Sequence, residues 1–295
     1  MKFPILTAAL LGAMAIAPAF AATPIDETRP LDPRGSLEVS NVKGRIEVRA
    51  WDRPEVHIAG SLGDGVERLQ IEGDRRSLEV KVRYPRNGRN AEPTTLLLSV
   101  PRQVDLEIHG VAVDIDVSGV AGGELGINSV SGDVVAVGAP REVNIDSVSG
   151  NQRLNLNSRK LDLESVSGNI ALRGRIDGEI SAETVSGDIQ IDTRGEATRR
   201  LSTSSVSGDA SYTGGLAEGG RISAESVSGD IRIALPKSLS ARVRAESFSG
   251  DLRGPGVQVD KPKYGPGSSF EHTFGSGSGE IRMETFSGSA ELVLE

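Results

Sequence analysis

The stretch Ser129-Val130-Ser131-Gly132-Asp133 recurs along the chain with few changes, and this repetition decides the fold. With the glycine taken as position zero, the recurring glycines are Gly132, Gly150, Gly168, Gly187, Gly208, Gly229, Gly250 and Gly288. Successive glycines are 18, 18, 19, 21, 21, 21 and 38 residues apart. A period near 20 residues is typical of a solenoid, so we predict coils of about 18–21 residues.

Apolar residues occupy fixed columns of each repeat. Positions minus seven and minus five are mostly apolar with a polar residue between them, as in a β-strand with one buried face. Position minus two is valine or phenylalanine, and positions plus two and plus four are again apolar in most copies. In a regular strand every second side chain is buried, so the buried positions cannot switch from odd to even numbers within one strand. We therefore predict a strand, a corner at the Ser or Thr of position minus three, and a second strand, with the minus-two side chains in the core.

The pattern extends towards the N-terminus. Residues 37–48 and 106–117 fit the same columns, and Val113 stands in the place of the glycine in the second copy. Between these copies, alternating segments predict ordinary strands near residues 57–62, 68–72, 78–84 and 95–100. The sequence thus predicts an all-β, single-chain parallel β-helix or β-solenoid over residues 106–295. A less regular N-terminal β cap over 37–105 would cover its open end.

Three segments depart from the repeat. Residues 1–21 have a positive start at Lys2, an apolar run and an Ala19-Phe20-Ala21 ending, which is the pattern of a cleaved signal peptide. The apolar run is too short to span a bilayer, so we expect an exported chain, periplasmic, surface-bound or secreted. Residues 22–36 are predicted to be a linker. The Gly-, Pro- and Ser-rich residues 254–279 are predicted to be an irregular loop.

Composition excludes several classes of function. The net charge of −8 argues against a nucleic-acid partner or an anionic membrane surface. Cysteine is absent, which excludes thiol chemistry and cysteine-ligated zinc. The three histidines lie far apart in sequence without ligand spacing, and the serines belong to the repeat columns. We therefore predict no catalytic, cofactor-binding or metal-binding residues.

Two polar columns allow a second interpretation. Position plus one is Asp or Asn in seven repeats, and position minus four is acidic in six, so stacking would create carboxylate ladders. Calcium would neutralise such ladders. The alternative is that Asp and Asn bind backbone N–H groups at the corner while the minus-four acids lie in solvent.

Aromatic residues supply the remaining candidates. Tyr264, Phe270 and Phe274 lie in the predicted loop and form a possible binding loop, because loops on a rigid scaffold often bind ligands. Trp51 follows a predicted strand and is expected to cover the core near the cap.

The stretch Val39-Ser-Asn-Val-Lys-Gly-Arg-Ile-Glu-Val-Arg-Ala-Trp-Asp52 and the iterated Ser-Val-Ser-Gly-Asp-Ile resemble the bacterial β-strand-repeat proteins that carry an adhesin label, also called toastrack domains. The resemblance covers about residues 37–294. It implies a β-solenoid of the cell envelope, a relation to the C-terminal parts of envelope-stress proteins, and no catalytic residues.

Three functions follow as hypotheses. The first is a non-enzymatic envelope or surface protein that presents a β face to an envelope protein or a glycan, with a possible link to envelope-stress sensing. The second is a carbohydrate-active β-helix enzyme, and the third is a structural repeat protein stabilised by calcium.

Overall fold

The computed structural model describes residues 23–86, 91–263 and 265–295, and the predicted signal peptide lies outside them. The described residues form 22 β-strands, which build two walls around one core. The first wall holds the strand before each corner, in the spatial order β5 (Ser77–Arg83), the start of β2 (Ser36–Trp51), the start of β7 (Asp105–Ala121), β8 (Glu124–Ser131), β10 (Glu142–Ser149), β12 (Lys160–Ser167), β14 (Glu179–Ser186), the end of β15 (Ile189–Ser207), the end of β16 (Ala210–Ser228), β21 (Gly279–Thr285) and β18 (Ala241–Ser247).

The second wall holds the strand that follows each corner. Its spatial order is β6 (Thr94–Pro101), the end of β2, the end of β7, β9 (Val134–Ala139), β11 (Gln152–Leu156), β13 (Ile170–Arg173), the start of β15, the start of β16, β17 (Ile231–Leu235), β22 (Ala290–Leu294) and β19 (Leu252–Arg253). All these pairings are parallel. Antiparallel strands lie only at the ends of the described walls: β1 (Thr23–Pro30), β3 (Glu55–Leu62), β4 (Arg68–Gly73) and β20 (Ser268–Phe274).

Like residues stack on like residues in the core. Val143 is paired with Leu125 on one side and with Leu161 on the other, and Ile145 lies between Ile127 and Leu163. These side chains are at most 1% exposed. The stacked columns confirm the predicted all-β parallel solenoid, in which each coil contacts only its neighbours.

The prediction for the corner is wrong in one respect. The minus-two side chains were expected in the core, but Val148 is 48% exposed, whereas Ser147 at minus three is 6% exposed. The bend therefore lies after position minus three. At the corners of Gly229, Gly250 and Gly288 it brings the minus-three hydroxyl close to the glycine three residues later: a Cβ added to Gly229 would lie 3.2 Å from the Oγ of Ser226. The valine at minus two lies on the opposite face of the strand from the buried minus-three residue and so points outwards.

The corners that carry glycine require it because neighbouring coils approach closely. Gly150 has a φ of 120°, and a Cβ added to it would lie 2.1 Å from the carbonyl oxygen of Gly132 in the preceding coil. The corner is held by hydrogen bonds between coils, such as the bond that the Gly150 N–H donates to the Ser167 carbonyl at 3.2 Å. The glycine column thus allows the corners to stack.

The spatial order of the coils departs from chain order at both ends. The coil of β2 lies between the coil of β5 and β6 and that of β7. At the other end, the last coil in sequence, β21 and β22, is inserted between β16 with β17 and β18 with β19. The C-terminal strands are therefore internal layers of the stack.

Two segments differ from their predictions. Instead of a linker, residues 23–30 form β1, which pairs with β3 along its whole length. Its two prolines and its charged residues are typical of an edge strand, which explains why it lacks a clear strand pattern. Within the predicted loop of residues 254–279, β20 pairs antiparallel with β18 and covers the end of the first wall.

Candidate functional site

A row of exposed apolar side chains follows the corner from one coil to the next. We call it the corner row, and its ten members are 44–55% exposed: Val42, Val111, Val130, Val148, Val166, Val185, Val206, Val227, Phe286 and Phe248, in spatial order. The two phenylalanine rings are stacked with centroids 4.6 Å apart. With strands about 4.8 Å apart, the row is roughly 40 Å long.

Acidic side chains run beside this row at position minus four, two residues earlier in each coil. We call them the acid row: Asp146, Glu164, Glu183, Glu225, Glu284 and Glu246. The row is interrupted by Ser204, which lies between Glu183 and Glu225. Both rows point outwards because positions minus four and minus two alternate along one strand with the buried positions minus five and minus three.

The acid row, the buried minus-three residues and the corner row from Val130 to Phe248 line one groove, which we call the corner groove. Its first part, with a volume of about 670 Å³, extends from His109 to Val206. Its second part, about 740 Å³, extends from Ser204 to Phe248. Since Ser204 and Val206 line both parts, the groove is continuous along the stack. At its C-terminal end it is bordered by Asp260 and Pro262 from the irregular segment.

Charge is distributed unevenly along the acid row. At the C-terminal end, Arg244 and Arg282 each pair with the acid of their own strand, Glu246 and Glu284. In the middle, no Lys, Arg or His among the described residues forms an ion pair with the acids Asp146, Glu164 and Glu183. Burial, together with neighbouring carboxylates, raises the pKa of Glu164. The middle of the groove therefore carries uncompensated negative charge.

The plus-one column has a structural use. The Oδ1 of Asp188 accepts the backbone N–H of Asp209 at 3.0 Å, and that of Asp209 accepts the backbone N–H of Asp230 at 2.8 Å. The same bond recurs from Asp114 to Ser289. At Asp133 the pKa is lowered because Arg153, and then the Asn151 N–H, bind its carboxylate. These contacts match the expectation that Asp and Asn bind backbone N–H groups at the corner.

Replacing Asp209 by alanine is expected to lower the free energy of unfolding by about 1–2 kcal/mol, because the N–H of Asp230 loses its acceptor. Asp209→Asn keeps the amide oxygen, as Asn151 and Asn169 do naturally, and should change stability by less than half as much. Urea unfolding of the two variants measures the difference. Equal effects would show that charge, and not the hydrogen bond, matters at this position.

The histidines lie at separate places. His57 Nε2 lies 2.9 Å from Asp26, and His109 Nε2 lies 3.2 Å from Glu107 and 3.6 Å from Glu38. His272 packs edge-on against Phe274. Among the described residues, no group of three or more His, Asp or Glu side chains is arranged to hold a metal ion.

The aromatic candidates that the structure describes, Phe270, Phe274 and Trp51, are not brought together at one surface. Phe270 is 2% exposed and closes the end of the core from β20, and so it is not accessible to a partner. Phe274 is half-buried beside His272, and Tyr264 lies outside the described residues. Trp51 is half-buried at the end of β2, where its Nε1–H donates to the Glu55 carbonyl at 2.8 Å. The irregular segment instead borders the corner groove with Asp260 and Pro262.

The toastrack family model, Toastrack DUF4097, matches residues 102–218, which confirms the resemblance over this part of the chain. A solved structure from Parabacteroides distasonis ATCC 8503, named "putative lipid binding protein", is 14% identical with a TM-score of 0.51 and covers 92% of this chain and 97% of its own. A "putative adhesin" from Parabacteroides merdae ATCC 43184 is 12% identical, with a TM-score of 0.47 and 92% and 96% coverage.

The similarity to these solved structures shows the fold alone. No curated protein matches the chain. None of the described residues lies in a helix with the length and hydrophobicity that crossing a bilayer requires.

Proposed function

We propose that this chain, whose residues 102–218 match the toastrack family, is a non-enzymatic exported protein of the cell envelope or cell surface that binds a partner along the corner groove. The observation that carries the proposal is the corner row. Ten apolar side chains lie half-exposed in one line on a rigid scaffold. A contiguous apolar surface of this kind is typical of an interaction site on a soluble protein.

The sequence supports the same proposal in two ways. The signal-peptide pattern of residues 1–21 favours export. The outward valine or phenylalanine recurs at ten corners of the described chain, although turn chemistry would be served equally well by a polar residue there. Burial in the core does not explain why these positions are apolar, because the side chains are about half-exposed. Binding to a partner does explain it.

Triple replacement of Val148, Val166 and Val185 by threonine is expected to remove binding to isolated cell envelopes while the fold persists. Threonine has nearly the shape of valine, and these side chains are only half-buried, so we expect each change to cost at most about 0.5 kcal/mol of stability. Binding should fall at least tenfold, because the middle of the apolar row is lost. The measurement compares immobilised mature chains, wild-type and triple variant, against washed envelopes and a glycan array.

Val137→Thr is the matched control, since Val137 is 46% exposed but lies outside the corner row. It should bind as the wild-type chain does. If the triple variant retained wild-type binding, the corner groove would not be the binding site.

A further inference from the structure

The middle of the corner groove combines an apolar strip with negative charge in the same three coils. Three valines of the corner row lie two residues after three acids of the acid row, in the pairs Asp146 with Val148, Glu164 with Val166, and Glu183 with Val185. All six side chains are exposed. A ligand that covers the valines must therefore also lie against the carboxylates.

The three carboxylates are forced together by the stacking of the coils. Asp146 is paired with Glu164, and Glu164 with Glu183, in adjacent parallel strands, which places them about 4.8 Å apart along the stack. The nearby cation Lys160 bonds to Glu142. The raised pKa of Glu164, caused first by burial and then by Asp146, Asp162 and Glu183, agrees with this crowding. A bound cation would relieve the repulsion.

Negative charge continues beyond the groove on the same wall. Asn128 and Asp146 line both the corner groove and a neighbouring hollow of about 660 Å³. The acids of that hollow include Glu38, Glu79 and Glu107, which are adjacent across β5, β2 and β7. A cationic partner that overhangs the groove on this side would meet further carboxylates.

We propose that the partner of the corner groove is a cationic amphipathic peptide segment, whose apolar side chains cover the corner row and whose Lys or Arg side chains pair with the acid row. This assignment rests on the proposed function and names the class of partner. The corner row is valine alone from Val42 to Val227, so the segment needs no fixed register over these coils. Complementary charge determines which apolar partners are accepted.

Other occupants fit the groove less well. An anionic lipid headgroup would be repelled by the acid row. A neutral acyl chain would cover the valines but leave the carboxylates without a counter-charge. Glycans are commonly bound on aromatic faces, and the middle of the corner row is valine only.

The test uses the mature chain and four probes: a peptide of alternating leucine and lysine, the same peptide with glutamate for lysine, a lysine-only peptide of equal charge, and a neutral alkyl glycoside. Binding is followed by fluorescence anisotropy for the peptides and by calorimetry for the glycoside. We expect the leucine–lysine peptide to bind at least tenfold more tightly than the other three. Raising the ionic strength should weaken this binding, because the exposed charges are screened.

Two groove variants separate the contributions of the rows. Asp146→Asn with Glu164→Gln and Glu183→Gln should weaken the leucine–lysine peptide at least tenfold. The valine-to-threonine triple variant should have a similar effect. The control neutralises three exposed acids elsewhere, Asp64→Asn, Asp177→Asn and Glu218→Gln, which gives the same net charge, and it should bind as the wild-type chain does.

Equal affinity of the acid-row variant and the wild-type chain would overturn the inference, and so would equal binding of the glutamate peptide. Tighter binding of the alkyl glycoside would assign the groove to a neutral amphiphile instead. If no peptide bound while envelope binding still required the valines, the proposed function would stand and the peptide assignment would fail.

Discussion

Replacing Gly150 by alanine is expected to lower the free energy of unfolding by about 3–5 kcal/mol. The φ of 120° is strained for any residue with a Cβ, at a cost of about 1–3 kcal/mol. The new methyl group would also lie 2.1 Å from the Gly132 carbonyl oxygen and 2.7 Å from its carbon. Those atoms belong to the backbone of the preceding coil, so relief requires the two coils to separate, with a further loss of about 1–3 kcal/mol.

Substitutions at two other glycines allow the cost of backbone strain to be measured separately from the cost of the steric clash. Gly195 has a φ of 81° with nothing within 4 Å of an added Cβ, so Gly195→Ala should show backbone strain alone, about 1–2 kcal/mol. At Gly126 an added Cβ would first meet the Glu107 Cγ at 3.6 Å, which is ordinary contact, so Gly126→Ala should be neutral or slightly stabilising. Urea unfolding measures all three. If Gly150→Ala lowered the free energy of unfolding no more than Gly195→Ala does, this would contradict the close approach of the corners.

The stacking of the coils could be predicted from sequence because it depends on apolar residues that recur at the same position of every repeat. Leu125, Val143 and Leu161 recur at one position of each repeat, and parallel stacking places them side by side. The direction of the corner could not be predicted in the same way. Val148 and Ser147 are adjacent, and a rule that apolar residues are buried selects the valine. The alternation of β10 instead continues through Ser147 to Ser149, which buries the serine and exposes the valine, and the residue at which the strand ends depends on backbone geometry that the sequence does not express.

The candidate site follows from the same correction. Once Val148 points outwards, the corner row and the acid row face one groove, whereas the sequence places Val148 in the core and the acids alone in solvent. One signal for this was present in the sequence. In the eight glycine repeats position minus two is always valine or phenylalanine, although the switch of the buried positions at the corner allowed this side chain to lie either in the core or on the surface. For Phe270 the error had another cause. Its Gly- and Ser-rich flanks conceal a strand, β20, whose pairing partner β18 is remote from it in the repeat pattern.

The order of the terminal coils was also beyond prediction, since every repeat offers the same columns to its neighbours. Ile281 fits equally well beside Ile222 or Val243, and the structure places it between them. Chain order alone would place β21 and β22 outermost. Their internal position gives the C-terminal residues an importance that their place in the sequence does not suggest.

A chain that stops at Gly275 is therefore expected to lose more than its last coil. Removal of β21 and β22 takes away the layer that pairs with β16 and β17 on one side and with β18 and β19 on the other. Since each coil of a solenoid is stabilised by its neighbours, hydrogen exchange should show lost protection throughout residues 241–274 and weakened protection in β17. A simple terminal deletion would leave residues 241–253 protected.

Phe270→Ala provides the complementary variant. Phe270 closes the core from β20, the outermost strand of the first wall in space, and its loss should cost about 3–5 kcal/mol locally. Exchange should then increase in β20 and β18 while residues 279–294, nearer the C-terminus, stay protected, because opening of a terminal layer need not unfold the layers beneath it. If the truncated chain kept protection over residues 241–253, β18 would have docked directly on β16, and the matching columns alone would suffice to close the solenoid. If protection is lost, the inserted coil is what holds the C-terminal end together, and the chain must be complete before that end can form.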